Sequence, residues 1–159
     1  MKISGIIYDS VVDGIGIRNV VFVSGCKHKC SGCHNKESWD FNNGIEFTIE
    51  KQLEFIKKCK YNPILDGITL SGGDPMFSEE DVLSFIKLYK QHCPAHSIWI
   101  YSGFTYEELI LDPLKREVLN LCDVLVDGRY EQELRNTTLP FRGSSNQRII
   151  KLRKCDSIM

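Results

Sequence analysis

Three cysteines within eight residues, Cys26, Cys30 and Cys33, are the side chains of this sequence best equipped for chemistry. They stand in the run Gly25-Cys26-Lys27-His28-Lys29-Cys30-Ser31-Gly32-Cys33-His34, spaced as C-x3-C-x2-C. Three thiolates on one short loop can converge on a single metal centre. A four-iron cluster normally takes four cysteine ligands, one per iron. Here the fourth is missing locally, which leaves one iron open to a substrate, much as catalytic zinc sites keep an open position. Structural zinc is the competing reading, with His28 or His34 closing a tetrahedral site that does no chemistry. Burial of the three as small hydrophobes fits poorly with the lysine, histidine and glycine around them. Cys59, Cys93, Cys122 and Cys155 are scattered singly. Cys59 continues the apolar face of a helix and Cys122 precedes a strand, so both are read as packing residues.

Seven cysteines is an odd count, which argues against a complete disulfide framework. No secretion signal and no apolar run of roughly 20 residues is found. The expected location is therefore the cytoplasm, where disulfides are rare and clustered cysteines serve as ligands. The 159 residues, 42% of them apolar, suffice for a single domain spanning 1–159 with a hydrophobic core. A net charge of -1 gives no field that would draw the whole molecule to nucleic acid or to a membrane. Positive charge gathers late, at Arg142, Arg148, Lys151, Arg153 and Lys154.

The elements that must position the cysteines alternate in type. Asn19 to Ser24 (NVVFVS), Gly67 to Ser71 (GITLS), Ser97 to Tyr101 (SIWIY), Asp123 to Val126 (DVLV) and Gln147 to Leu152 (QRIIKL) read as strands. Such near-continuous apolar runs suit buried parallel strands. Between them, Thr48 is placed to cap a helix with an inner face of Ile49, Leu53 and Ile56. Ser78 caps the next, with Val82, Phe85, Ile86 and Tyr89 at helical spacing. Thr105 with Glu108 spells a capping box, and Asp112-Pro113 fits an N-cap followed by proline at the first helical position. The β-α order predicts an α/β fold with a mainly parallel sheet of about five strands. Ligands of such sheets bind at the carboxyl ends of the strands. Gly25-Cys26, Gly72-Gly73-Asp74, Ser102-Gly103 and Asp127-Gly128 all fall there, and together they predict one shared site.

With those residues in view, the sequence resembles the radical S-adenosylmethionine (SAM) superfamily, whose cluster motif is C-x3-C-x2-C. The segment from Val12 to Arg18 is similar to the one preceding that motif in glycyl-radical activating enzymes, and Cys33-His34-Asn35 and Trp39 continue the likeness. Ser71-Gly72-Gly73-Asp74-Pro75 resembles the superfamily's glycine motif. Val124 to Gly128 and Phe141 to Arg148 narrow the resemblance to activators of anaerobic (class III) ribonucleotide reductase. It covers about Val12 to Leu152.

The resemblance implies a single-domain, partial (open) β/α barrel and two cofactors, a [4Fe-4S] cluster and SAM. Cys26, Cys30 and Cys33 are the implied iron ligands. Gly72, Gly73 and Asp74 are implied to line the methionine end of SAM, with Ser102 and Asp127 at later strand ends as further contacts. Asp13 and Arg18 are implied to face an incoming glycine loop, and Arg142 to sit on the docking rim. Trp39 is read as a packing residue, and His28 as either a supporting or a solvated loop residue. The implied reaction is reductive cleavage of SAM to a 5′-deoxyadenosyl radical, which takes hydrogen from a glycine of the large catalytic reductase subunit. A one-electron donor such as flavodoxin is implied as a second partner. Activation of another glycyl-radical enzyme, such as pyruvate formate-lyase, and a non-catalytic zinc-binding adaptor are the alternatives.

Overall fold

The computed structural model describes residues 1–33 and 36–153. His34, Asn35, Lys154 and Cys155 lie outside the described residues. The described residues form one seven-stranded sheet with four α-helices. In chain order the elements are β1 (Lys2–Ser10), β2 (Arg18–Val23), β3 (Ile45–Glu46), α1 (Ile49–Lys60), β4 (Gly67–Gly72), α2 (Glu79–His92), β5 (Ser97–Tyr101), α3 (Tyr106–Leu109), α4 (Pro113–Asn120), β6 (Val124–Asp127) and β7 (Arg148–Lys151). The strand order is β3-β1-β2-β4-β5-β6-β7.

The expected parallel core is present as β2, β4, β5 and β6. The expectation of a mainly parallel sheet of about five strands is corrected: β1, β3 and β7 add to the flanks in antiparallel fashion. The sheet is open, with β3 and β7 as its outermost strands, rather than a recognisable partial barrel. The run from Gln147 to Leu152 is a strand, but an edge one, with Arg148 and Lys151 exposed. β1 has no clean period. Its register shifts twice against β2, and it buries Ile3 while exposing Ile7 and Tyr8.

From β2 to β6 the chain steps one way along the sheet. Right-handed crossovers then place every connecting helix on the same face. Alternation along the strands sends Val21, Val23, Ile68, Leu70, Ile98, Ile100 and Leu125 into the core with the helices. Trp99, Val124 and Val126 form a second cluster with Tyr101, Phe141 and Ile149.

The helix starts follow their capping chemistry. Thr48 accepts from the Lys51 amide, Thr105 and Glu108 form the reciprocal box, and Asp112 accepts from the amides of Leu114 and Lys115. Ser78 occupies the cap position of α2 without a side-chain bond. The buried stripe of α1 is Gln52, Phe55, Ile56 and Cys59, while Ile49 and Leu53 are exposed. That shift from the expected face follows from Phe55, the bulkiest residue of the stripe, and from Gln52, whose amide donates to the Phe47 carbonyl. No helix among the described residues is long and apolar enough to cross a membrane.

Candidate functional site

The cysteines occupy the loop that leaves the carboxyl end of β2. Gly25, at a φ of 107°, turns the chain there, and a side chain at that position would run into the Phe41 ring. The loop is backed by the short 3-10 turn Lys36–Trp39: the Gly25 amide donates to the Ser38 carbonyl and the Cys26 amide to that of Trp39. Further along, the Cys33 amide donates to the Cys30 carbonyl and closes a turn through Gly32. Gly32 lies against Gln132, so the segment after β6 forms the other wall.

All three thiols are partly buried. Burial pushes the Cys26 thiol up to about 11, against the opposing pull of the His28 and Lys29 amides on its sulfur. Burial also raises Cys30, opposed first by the Tyr130 amide. Cys26 and Cys30 therefore hold their protons until a cation arrives, so metal binding must release them. Backbone amides aimed at the sulfurs suit thiolate ligands of an iron–sulfur cluster, because hydrogen bonds to sulfur stabilise the negative charge. The chemistry of that donor set suits such a cluster, although among the described residues no three His, Cys, Asp or Glu side chains stand together so as to hold a single metal ion. Cys59 and Cys122 are fully buried, and Cys59 accepts a hydrogen bond from the Asn19 amide group.

Gly72 and Gly73 are brought against this loop. Gly72 has a φ of 110°, and a Cβ there would lie 2.5 Å from the Val23 backbone. A Cβ on Gly73 would lie 2.6 Å from both the Gly25 and the Ser38 carbonyl oxygens. The Gly73 and Asp74 amides donate to the carbonyls of Val23 and Gly25. Asp74 is 1% exposed and joined to Ser102, whose hydroxyl donates to Oδ2 at 3.0 Å.

Asp127 stands apart from that pair. Its carboxylate accepts from the Tyr106 amide at the start of α3 and from two nitrogens of Arg148. Together with Gly103, Gly128, Arg129 and Arg148 it lines a groove of about 460 Å³ over the ends of β5 and β6.

The residues expected to face a partner separate. Asp13 is half-buried, accepts from the Ser10 hydroxyl, and offers its carbonyl to Thr69. Arg142 is partly exposed and donates to the carbonyls of Pro140 and Gln147 within its own loop. Arg18, expected at a partner-facing rim, is instead 1% exposed and lies at the amino end of β2. Val23, at the carboxyl end, lies five positions further along the strand, about 16 Å at ordinary strand rise. Its five donors all find neutral oxygens, on Thr69, Ile15, Ser97 (twice) and Ile68. Burial lowers its pKa to about 10, so it remains charged at neutral pH. The guanidinium pins the 11–17 loop to β4 and β5, and Gly14 in that loop packs on Trp99. Arg18→Leu is expected to strand buried carbonyls at about 1–3 kcal/mol each. The check is a fall in the urea midpoint with an unchanged slope.

Two side chains that support the site escape a reading based on strand ends. Arg129 follows Gly128 and reaches back to His28 in the cysteine loop. Gln147 receives the amides of Gly143 and Ser144 and donates to the Gly128 carbonyl, which fastens the run from Phe141 to Arg148 to the end of β6. The signal available for Gln147 was its place in that run; Arg129 had only its adjacency to the Asp127-Gly128 turn.

A second cavity, of about 350 Å³, opens at the other end of the sheet beside Arg18, Lys90, His96 and Asp123. It lies away from the cysteines.

A family model described as a 4Fe-4S single cluster domain matches residues 12–150. The anaerobic ribonucleoside-triphosphate reductase-activating protein of Pasteurella multocida (strain Pm70) is 40% identical over 144 residues, which cover 89% of this chain and 91% of that protein. The protein of the same description from Escherichia coli (strain K12) is 39% identical over 146 residues, 90% of this chain and 94% of its own. That of Enterobacteria phage T4 is 37% identical over 140 residues, 87% and 86% of the two chains.

Proposed function

Since the chain belongs to the family of anaerobic ribonucleoside-triphosphate reductase-activating proteins, we propose that it activates an anaerobic ribonucleotide reductase by generating a glycyl radical on the large catalytic subunit. The observation that carries this reading is the loop of three partly buried thiols at the end of β2, built against the glycine turn at the end of β4.

Cys26, Cys30 and Cys33 would hold a [4Fe-4S] cluster, with the whole of 1–159 acting as one domain. When bound, the cluster would supply the one electron, drawn from a donor such as flavodoxin, that reductive cleavage of SAM to methionine and a 5′-deoxyadenosyl radical requires, and that radical would take hydrogen from the partner's glycine Cα. The chain's own contribution is orientation and exclusion of water. Gly72 and Gly73 let the β4 turn approach the cysteine loop closely, since neither has a side chain to intrude. Asp74 and Ser102 fix that turn to the end of β5. Asp127 and the groove beside it offer room for the rest of SAM at the ends of β5 and β6, where ligands of such sheets bind. Asp13 and Arg142 face the partner. Thiols that must stay reduced suit the cytoplasm.

The test pairs two assays on Arg142→Glu. With the large reductase subunit present, the glycyl-radical signal is expected to fall about tenfold, because a reversed rim charge weakens association. Without the subunit, 5′-deoxyadenosine formation driven by a strong chemical reductant is expected to stay within about twofold of wild type, because a rim charge acts on association rather than on chemistry deeper in the site. Equal loss of both would place Arg142 in the SAM site or the fold. A wild-type chain that forms no 5′-deoxyadenosine would remove the proposed activity altogether.

A further inference from the structure

The cysteine loop is gripped at its midpoint by a side chain other than a thiol. His28 stands two residues from Cys26 and two from Cys30, yet its side chain is only 3% exposed. Its Nε2 lies 2.7 Å from Asp74 Oδ2, and Arg129 Nε lies 3.2 Å from its Nδ1. Arginine Nε donates and never accepts, so Nδ1 must be the acceptor. The ring proton is therefore on Nε2 and is donated to Asp74. The ring packs against Phe77 and Phe104, at centroid distances of 4.9 and 4.6 Å. Gly103 makes room for it: a Cβ there would lie 2.5 Å from His28 Cδ2.

Asp74 collects more than this one bond. Its carboxylate also accepts from the Met76 amide, the Ser102 hydroxyl and the Gly103 amide. One buried carboxylate thus ties the ends of β4 and β5 to the cysteine loop, and Arg129 brings in the end of β6.

We infer that His28 is a positioning residue, acting through Asp74 and Arg129 to hold the cysteine loop in its cluster-binding shape before iron arrives. The inference rests on the cluster reading above and assigns the loop's grip on iron partly to preorganisation. A loop that needs no ordering at the moment of binding retains its ligand more tightly. Groups that hold ligand-bearing segments act in the same way as those that orient the ligands themselves.

The experiment compares wild type, His28→Leu, His28→Gln and Gly103→Ala after anaerobic reconstitution with iron and sulfide. Leucine fills much of the ring's space without its hydrogen bonds, whereas glutamine carries an N–H able to reach Asp74. Release of iron to a ferrous chelator is expected to be about tenfold faster in His28→Leu and Gly103→Ala, the lower end of the range for lost supporting contacts. His28→Gln should stay within about twofold of wild type on the same scale. The paramagnetic resonance spectrum of the reduced cluster should shift in the leucine variant and return with glutamine. Hydrogen exchange of the 27–33 amides in the apo chain should accelerate in His28→Leu, with global melting unchanged. Wild-type iron release from His28→Leu, or release from His28→Gln as fast as from leucine, would overturn the inference and leave the ring as filler. Failure of the wild type to take up iron would defeat the cluster reading instead, and the apo exchange result would then decide the clamp by itself.

Discussion

Replacing Cys26, Cys30 or Cys33 singly by alanine is expected to reduce iron incorporation from about four per chain to near none. One loop of three thiols can support one four-iron centre, and with two ligands no such centre persists. Replacing Cys59 or Cys122 is expected to leave the iron content intact, because both thiols are fully buried within the core. Burial raises the pKa of each, so they stay protonated and inert. Iron, sulfide and zinc would be assayed on each variant after anaerobic reconstitution. Stoichiometric zinc without iron in the wild type would sink the cluster and favour the adaptor alternative.

Gly73→Val is expected to have the next largest effect, and the close contacts around this glycine say why. The added Cβ meets two carbonyl oxygens at 2.6 Å, those of Gly25 and Ser38. Both already serve as acceptors, for the Asp74 and Gly25 amides respectively. Valine must push the cysteine loop and its backing turn away from β4, an overpacking cost of about 1–3 kcal/mol. The cluster should therefore be lost together with SAM cleavage, rather than SAM affinity falling at an intact cluster. Iron content and 5′-deoxyadenosine yield, measured side by side, separate the two. Full cluster occupancy with normal cleavage in Gly73→Val would show that the loop yields freely at this point.

Much of this arrangement could be read from residue types. The apolar runs at Gly67 to Ser71 and Ser97 to Tyr101 are strands whose middle residues are buried and none of whose residues is exposed. The caps at Thr48, Thr105 and Asp112 announce their helices because a hydroxyl or carboxylate there satisfies amides that the helix cannot. β1 was illegible because its bulges break the two-residue period that marks a strand, and β3 because two residues carry no period at all. The direction of β7 could not be read because an edge strand of four residues looks the same in either sense. At the site, the cysteines and glycines declared themselves by spacing. The fates of Arg18 and His28 depend on which carbonyls and carboxylates the fold brings near them, and those partners lie from 46 to 101 residues away for His28.

The connection from β2 to β4 has a consequence for the order in which the molecule is assembled. The cysteine loop, its backing turn and β3 are all carried within that one crossover, and β3 is moored to β1, where Lys2 pairs with Glu46. The walls of the loop come from still farther along the chain, at Asp74, Gly103 and Arg129. Contacts of such long sequence separation form late, because loop-closure entropy is spent before they return anything. The sheet is thus expected to form first, the loop to settle onto its strand ends second, and iron to enter last, into a chain already folded. Pulse-labelled hydrogen exchange during apo refolding would show this as strand amides protected ahead of those at 26–33. Simultaneous protection of both would instead make the loop part of the folding nucleus.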